Sequence, residues 1–141
     1  MILLDTDHLT LLKYPDNPRY AALAVRMEAS PDQDIGTTII SAEEQMRGWL
    51  AVISRRRDVH QQIDAYGELL GLLELVNRWT VLPFYQRSAD VLDSQRHQGV
   101  RIGTMDLKIA AIALVHGALL LSANLRDFRQ VSGLKVENWL D

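Results

Sequence analysis

Residues 104–121 of this chain read TMDLKIAAIALVHGALLL, and this stretch decides the fold class. Its first part predicts a helix over 104–115, and Gly117 ends that helix. The apolar run at 118–121 then predicts a strand buried on both faces, which is typical of parallel sheets. A helix that leads directly into such a strand indicates an α/β domain.

Strand and helix patterns alternate along the rest of the chain. Short apolar or β-branched runs predict strands at 2–4, 35–40, 80–82, 118–121 and 134–136. Helical patterns predict helices at 6–12, 18–28, 41–54, 58–76, 88–98 and 104–115, and a short helical turn after Asn124. We therefore expect one α/β domain over residues 1–141, with a short central parallel sheet and helices on both faces.

The composition is that of an ordinary globular protein, and it limits the kinds of functional site that the chain can form. Of 141 residues, 48% are hydrophobic and 23% are charged, the net charge is −3, and there is no cysteine. The lack of cysteine excludes disulfides, cysteine-bound zinc and a thiol nucleophile. Proteins that bind nucleic acid by bulk charge are basic, so polyanion chemistry here would need local patches or bound cations.

Neither a membrane span nor an export signal is visible. The longest apolar stretch, 109–123, is interrupted by His116 and Gly117, and it is shorter than the ~18 residues that cross a bilayer. Asp5 and Asp7 stand where an export signal has basic residues. We expect a cytoplasmic protein with no membrane partner.

Oxygen-bearing polar side chains lie where predicted strands end or helices begin. They are Asp5, Glu43, Glu44, Asp106, Asn124 and Asp127. The carboxyl ends of parallel strands share one edge of a sheet, so we expect these side chains to converge there. Neighbouring carboxylates repel one another, and a hard divalent cation relieves that repulsion. The pattern therefore predicts a metal site suited to a phosphodiester.

Helix capping explains several of these residues without any chemistry. Asp5 suits the first turn of a helix, and Glu44 has the capping-box spacing to Ser41. Asp106 follows Thr104, which is a capping residue type, and Asn124 with Asp127 also has cap spacing. Each residue alone leaves both explanations open, whereas the combined pattern favours a site.

Four blocks of sequence, in order, resemble the PIN-domain ribonucleases of the VapC toxin type. They are ILLDTD at 2–7, SAEEQMRG at 41–48, IGTMDLKIAA at 102–111 and LSANLRDF at 121–128. Residues 133–139 resemble the closing strand of the family, while 51–99 carries little diagnostic sequence. The order of the four blocks, rather than any one of them, carries the resemblance.

The resemblance implies a hydrolase, an Mg²⁺- or Mn²⁺-dependent endoribonuclease that acts as the toxin of a type II toxin–antitoxin pair. Asp5, Glu44 and Asp106 match the acidic triad of the family, which implies roles in catalysis and metal binding. Asn124 and Asp127 match its less constant fourth polar site and would orient waters or ligands. The implied partners are RNA, a cognate antitoxin and a second copy of the chain in a homodimer.

Three positions need a decision. Asp7 stands where many members carry Asn, and Asn124 where many carry Asp, so the number of metal ions stays open. Glu43 and Glu44 point about 100° apart on a helix. Glu44 lies four residues before Gly48, as the acid of the family does, and we choose it on that ground.

Two other functions remain as alternatives. A phosphatase of the haloacid dehalogenase type is suggested by Asp5-Thr6-Asp7, but its motif has Thr or Val where this chain has Leu9. A degenerate PIN module that only binds a partner is disfavoured because the three acids are intact.

An apolar stripe, a run of arginines and the four histidines support further predictions. An apolar stripe at helical spacing, formed by Val59, Ile63, Tyr66, Leu70 and Leu73, predicts a core face, and the resemblance adds a dimer face or a groove for an antitoxin helix. Arg55–Arg57 fits a solvated helix end or a phosphate contact. The histidines, His8, His60, His97 and His116, show no ligand spacing, so surface or packing roles are expected.

Overall fold

The computed structural model describes residues 1–141 and contains one five-stranded parallel sheet. The strands are β1 (Ile2–Leu4), β2 (Ile35–Thr38), β3 (Thr80–Leu82), β4 (Leu119–Leu121) and β5 (Lys135–Glu137). Their order across the sheet is β3-β2-β1-β4-β5, and every neighbouring pair is parallel. The first strand of the chain thus lies at the centre of the sheet.

Seven α-helices and one 3₁₀ turn connect the strands. They are α1 (Thr6–Leu11), α2 (Pro18–Ala29), α3 (Ile39–Arg55), the 3₁₀ turn Val59–Gln62, α4 (Ile63–Asn77), α5 (Gln86–His97), α6 (Thr104–His116) and α7 (Leu125–Phe128). Gly117 ends α6 in the left-handed conformation with φ 58°, where a side chain would be strained. None of these helices has the length and apolar composition needed to span a bilayer.

The inner strands β1 and β4 are buried on both faces, as the apolar run at 118–121 predicts. Leu3 and Leu120 belong to one core cluster, with residues of α6 such as Ile109, while Leu4 and Leu121 belong to a second cluster on the other face. The second cluster also holds residues of α1, α2 and α4. The prediction of an α/β fold with a parallel sheet between helices is confirmed.

The boundary between β2 and α3 differs from the prediction. The strand ends at Thr38 rather than at residue 40, and Ile39 and Ile40 already belong to α3. The N-cap is Thr38, whose Oγ1 accepts the backbone N–H of Ser41 at 3.1 Å. The predicted capping box from Ser41 to Glu44 is therefore wrong. A β-branched pair looks extended in sequence, but the Thr38 hydroxyl provides the cap earlier.

Two other local predictions also change. Glu137 belongs to β5, which begins one residue later than expected, at Lys135. The predicted helix at 58–76 opens with the 3₁₀ turn before α4, since Asp58 accepts the backbone N–H of His60 and caps that turn.

The apolar stripe of α4 is exposed, so the predicted core face is wrong. Its members on α4 are Ile63 (62% exposed), Tyr66 (55%), Leu70 (58%) and Leu73 (44%), and Val59 (69%) extends the stripe onto the preceding 3₁₀ turn. The buried residues of the helix are Ala65, Leu72 and Leu75. Because α4 is apolar on more than one side, spacing alone could not show which side faces the sheet.

Candidate active site

Asp5 occupies the carboxyl end of the central strand. It caps α1 by accepting the backbone N–H of Thr6 at 2.7 Å through Oδ1, and its Oδ2 accepts the hydroxyl of Ser122 at 2.7 Å. The side chain is buried, with 6% of the residue exposed. Burial, opposed by the Ser122 hydrogen bond and reinforced by the nearby charges of Asp7 and Asp106, raises the pKa of Asp5 to about 6.

Glu44 lies on α3 beside the start of α1. The hydroxyl of Thr6 donates to its Oε2 at 2.9 Å, which brings it next to Asp5 through one intervening residue. Burial, together with the charge of Asp106, raises the pKa of Glu44 despite the Thr6 hydrogen bond. Glu43 instead pairs with Arg47 on the exposed side of the helix. The geometry therefore favours Glu44 as the site residue.

Asp106 and Asn124 meet across two elements. Asn124 donates through Nδ2 to Asp106 Oδ2 at 3.2 Å and to Asp127 Oδ2 at 3.1 Å. It also caps α7, because its Oδ1 accepts the backbone N–H of Asp127. Asn124 therefore both caps α7 and contacts the carboxylates of Asp106 and Asp127. Burial, and next the charge of Asp127, raises the pKa of Asp106.

Thr104 does not cap α6. The N-cap is Gly103, which has no side chain to bond the first turn. The capping explanation considered for Asp106 is therefore wrong as stated. Thr104 instead accepts a hydrogen bond from Arg96 Nη2 at 2.8 Å, which places a guanidinium near the helix end that carries Asp106.

Ser122 is the site residue that the sequence analysis missed. Its hydroxyl is fully buried, donates to Asp5 and accepts the backbone N–H of Asn124 at 3.0 Å. It thereby joins the end of β1 to the turn after β4. A small polar residue directly after the buried run at 118–121 was the available signal, and serine is too common in turns for that signal to stand out.

Asp7 forms hydrogen bonds within the same edge. Its Oδ2 accepts the backbone N–H of Ala123 at 2.9 Å, and its Oδ1 lies 2.5 Å from Nδ1 of the buried His8. Burial acts to raise the pKa of Asp7, but the hydrogen bonds from His8 and Ala123 outweigh it and hold this pKa below its usual value. Asp7 is therefore a bound carboxylate that orients the turn.

All five predicted site residues thus lie at one edge of the sheet. A continuous chain of hydrogen bonds runs from Glu44 through Thr6, Asp5 and Ser122 to Asn124. Asn124 then reaches both Asp106 and Asp127. The three triad acids have raised pKa values because they are buried near other carboxylates. A bound cation would relieve the repulsion between these carboxylates.

The donor set fits a hard divalent cation that keeps part of its water shell. All the candidate ligands are oxygens, which Mg²⁺ and Mn²⁺ prefer. No three acidic or histidine side chains stand close enough to hold an ion by direct contact alone. Mg²⁺ keeps several of its waters and needs only one or two carboxylates, so a partly hydrated ion suits this edge.

The family profile of the PIN domain matches residues 2–134. This chain belongs to the PIN domain family. The membership does not favour the phosphatase alternative.

Curated relatives of this PIN domain are ribonucleases by name. A segment of 72 residues is 38% identical to Ribonuclease VapC1 of Rickettsia felis, over 48% of this chain and 54% of the relative. Another of 71 residues is 35% identical to Ribonuclease VapC2 of Haemophilus influenzae, with the same two coverages. The match spans about half the length of these relatives.

Solved structures resemble the PIN domain over its full length. VapBC-1 from nontypeable Haemophilus influenzae matches with a TM-score of 0.73 at 24% identity, covering 100% of both chains. FitAcB from Neisseria gonorrhoeae matches with a TM-score of 0.71 at 22% identity, covering 99% of this chain and 98% of that one. At these identities the likeness establishes the fold.

Proposed function

We propose that this protein is a divalent-metal-dependent endoribonuclease of the VapC type, the toxin of a toxin–antitoxin pair. The observation that carries the proposal is the convergence of Asp5, Glu44 and Asp106 at the carboxyl edge of a PIN-domain sheet, with all three pKa values raised. The names of the curated relatives support ribonuclease activity.

Each site residue has a distinct role in this proposal. Asp5 and Asp106 would hold an Mg²⁺ or Mn²⁺ ion, and Glu44 would ligate it or hold one of its waters. When bound, such an ion lowers the pKa of a coordinated water and offsets the negative charge that builds up on the phosphodiester. Asn124 holds Asp106 in place and is itself held near Asp127.

The protein also needs groups that contact the RNA backbone, because its net charge is −3. Arg96 lies beside the helix end that carries Asp106, through its bond to Thr104, and Arg126 is exposed on α7 next to Asn124. Guanidinium groups bind phosphate through paired hydrogen bonds. We assign Arg96 and Arg126 to phosphate contacts. In the run Arg55–Arg57, the guanidinium of Arg56 instead donates to the backbone oxygen of Gln61.

The partners are a cognate antitoxin and a second copy of this chain. A further structural neighbour, from Klebsiella pneumoniae, is by name a toxin–antitoxin complex. The exposed stripe of α4 is the surface that supports a protein partner here. A groove of about 620 Å³ continues it, lined by residues such as Ile39, Met46 and Val81. Exposed apolar surface of this extent is typical of interaction sites.

The decisive experiment replaces Asp5 by Asn and measures RNA cleavage. We expect cleavage to be lost in the variant while its circular dichroism and cooperative unfolding are retained, because the amide is isosteric but a poorer cation ligand. Wild-type cleavage should stop with a chelator and return with Mn²⁺. Glu43→Gln is the matched control, since Glu43 faces Arg47 outside the site. A folded, active Asp5→Asn enzyme contradicts the proposal.

A further inference from the structure

His8 lies inside the protein, between the active-site edge and the last residues of the chain. The residue is 0% exposed. Its Nδ1 is 2.5 Å from Asp7 Oδ1, and its Nε2 accepts the backbone N–H of Trp139 at 3.0 Å. Both ring nitrogens are therefore used, one toward the site and one toward the C-terminal segment at 138–141.

These two contacts assign the position of the ring proton. A backbone N–H can only donate, so Nε2, which faces Trp139, must be the acceptor. The proton then resides on Nδ1, which donates to the carboxylate of Asp7. The hydrogen-bond network thus selects one tautomer, as second-layer partners do for histidines at metal sites.

The His8 bond leaves Asp7 with no free oxygen. Oδ1 accepts from the ring and also from the backbone N–H of His8 at 2.7 Å. Oδ2 accepts from the backbone N–H of Ala123 at 2.9 Å and lies 3.5 Å from the Ser122 hydroxyl. Asp7 therefore holds the turn at 122–124, and the same turn places Ser122 on Asp5 and Asn124 on Asp106.

We propose that His8 is a positioning residue, whose Nδ1–H fixes Asp7 as the acceptor for the turn at 122–124 and whose Nε2 docks the C-terminal segment on the same edge. Without the ring donor, Asp7 keeps only its bonds to the backbone N–H groups of His8 and Ala123, so the turn at 122–124 is held less firmly. The inference rests on the proposed nuclease function for its kinetic consequence, but the tautomer and the docking stand on the contacts alone.

Two variants separate the two contacts. His8→Asn places an amide near the position of Nδ1 and keeps a donor for Asp7, but it does not reach Trp139. His8→Gln places an amide near the position of Nε2 and keeps an acceptor for Trp139, but it leaves Asp7 without the ring donor. Both are polar and similar in volume, so each serves as the control for the other.

We expect His8→Gln to lower kcat by about 10- to 100-fold with little change in KM for RNA. His8→Asn should keep kcat within about threefold of wild type, whereas its backbone amide at Trp139 should exchange hydrogen faster. In the Asp7→Ala background, His8→Gln should cause no further loss, because the acceptor of the ring proton is already absent. Equal kcat losses in His8→Gln and His8→Asn would overturn the inference.

A spectroscopic readout tests the tautomer without any RNA. In protein labelled with ¹⁵N-histidine, the His8 signal, assigned by its absence from His8→Gln, should show the proton on Nδ1. A proton on Nε2 or on both nitrogens contradicts the inference. If wild-type protein shows the expected tautomer but cleaves no RNA, the proposed function fails while the assignment of the hydrogen bonds survives.

Discussion

Asp5 has three structural roles. It directly follows the central strand, it caps α1, and it lies near the carboxylates of Asp7 and Asp106. Its buried carboxyl binds a proton more tightly in the folded chain than in the unfolded one, since its pKa is raised from 3.8 to about 6. Folding a charged Asp5 at neutral pH therefore costs stability, and a bound cation offsets that cost.

This shift predicts how stability depends on pH. We expect the metal-free protein to become more stable as pH falls from above 6 toward 4, by roughly 3 kcal/mol for Asp5 alone. The raised pKa values of Glu44 and Asp106 act in the same direction. Denaturant unfolding with a chelator at several pH values measures the slope. Asp5→Asn should lose most of it, and an equal slope in the variant would contradict this account.

Ser122 tests how far a single hydroxyl governs the site. Ser122→Ala removes the donor to Asp5 Oδ2, a bond that lowers the pKa of Asp5, so that pKa should rise further. We expect ribonuclease activity to fall by about 10- to 100-fold and its acidic limb to move to higher pH. A rate profile against pH measures both. Ser132→Ala, at an exposed serine, should leave the profile unchanged.

At the scale of elements, the close contact between β2 and β3 depends on a missing side chain. A Cβ at Gly36 would lie 2.5 Å from the backbone oxygen of Thr80. Because backbone atoms in a paired strand cannot move aside cheaply, β3 would have to separate from β2. The strand that precedes α3, and so the position of Glu44, therefore depends on glycine at this point.

Gly36→Ala should destabilise the protein by about 1–3 kcal/mol, because the added methyl group overpacks the sheet. Gly48→Ala is the matched control. Gly48 lies within α3 with nothing within 4 Å of its Cβ position. That change should stabilise the protein by about 0.5–1 kcal/mol, since alanine favours helix. Thermal unfolding of the two variants should move in opposite directions, and a shift of the same sign would refute the explanation.

At the scale of the whole molecule, the stripe of α4 is an apolar surface that stays exposed when a single chain folds. Leu70 and its neighbours are spaced as core residues, yet the sheet buries the other side of the helix. The apolar area that one copy leaves in water is a driving force for association.

Leu70→Glu should therefore disrupt association, because it places a charge within the stripe. Light scattering at micromolar concentration should give wild-type protein about twice the chain mass of 16.0 kDa, and the variant the single-chain mass. Co-purification with the product of the neighbouring gene tests the antitoxin in the same two proteins. Val25→Glu is the control, since Val25 is exposed on α2 away from the stripe. A Leu70→Glu protein that associates normally in both assays contradicts this role for the stripe.

The predictability of the site differed between its residues. The acids could be found because several of them follow predicted strands or begin helices, and parallel strands bring those ends of the elements together. Ser122 and the His8 bond to Trp139 could not be found, because both depend on contacts between residues more than a hundred positions apart. Spacing in sequence carries no information about such pairs.

The sequence by itself determined the strand at 118–121, the alternation that makes a parallel sheet, and the set of acids at its edge. These depend on local apolar periodicity and on the common direction of parallel strands. Only the tertiary structure decided that Thr38 rather than Ser41 begins α3, that the Thr6 hydroxyl joins Glu44 to the site, and that the stripe of α4 lies outside. Each of those depends on which neighbour a side chain meets, and that is settled when the elements pack together.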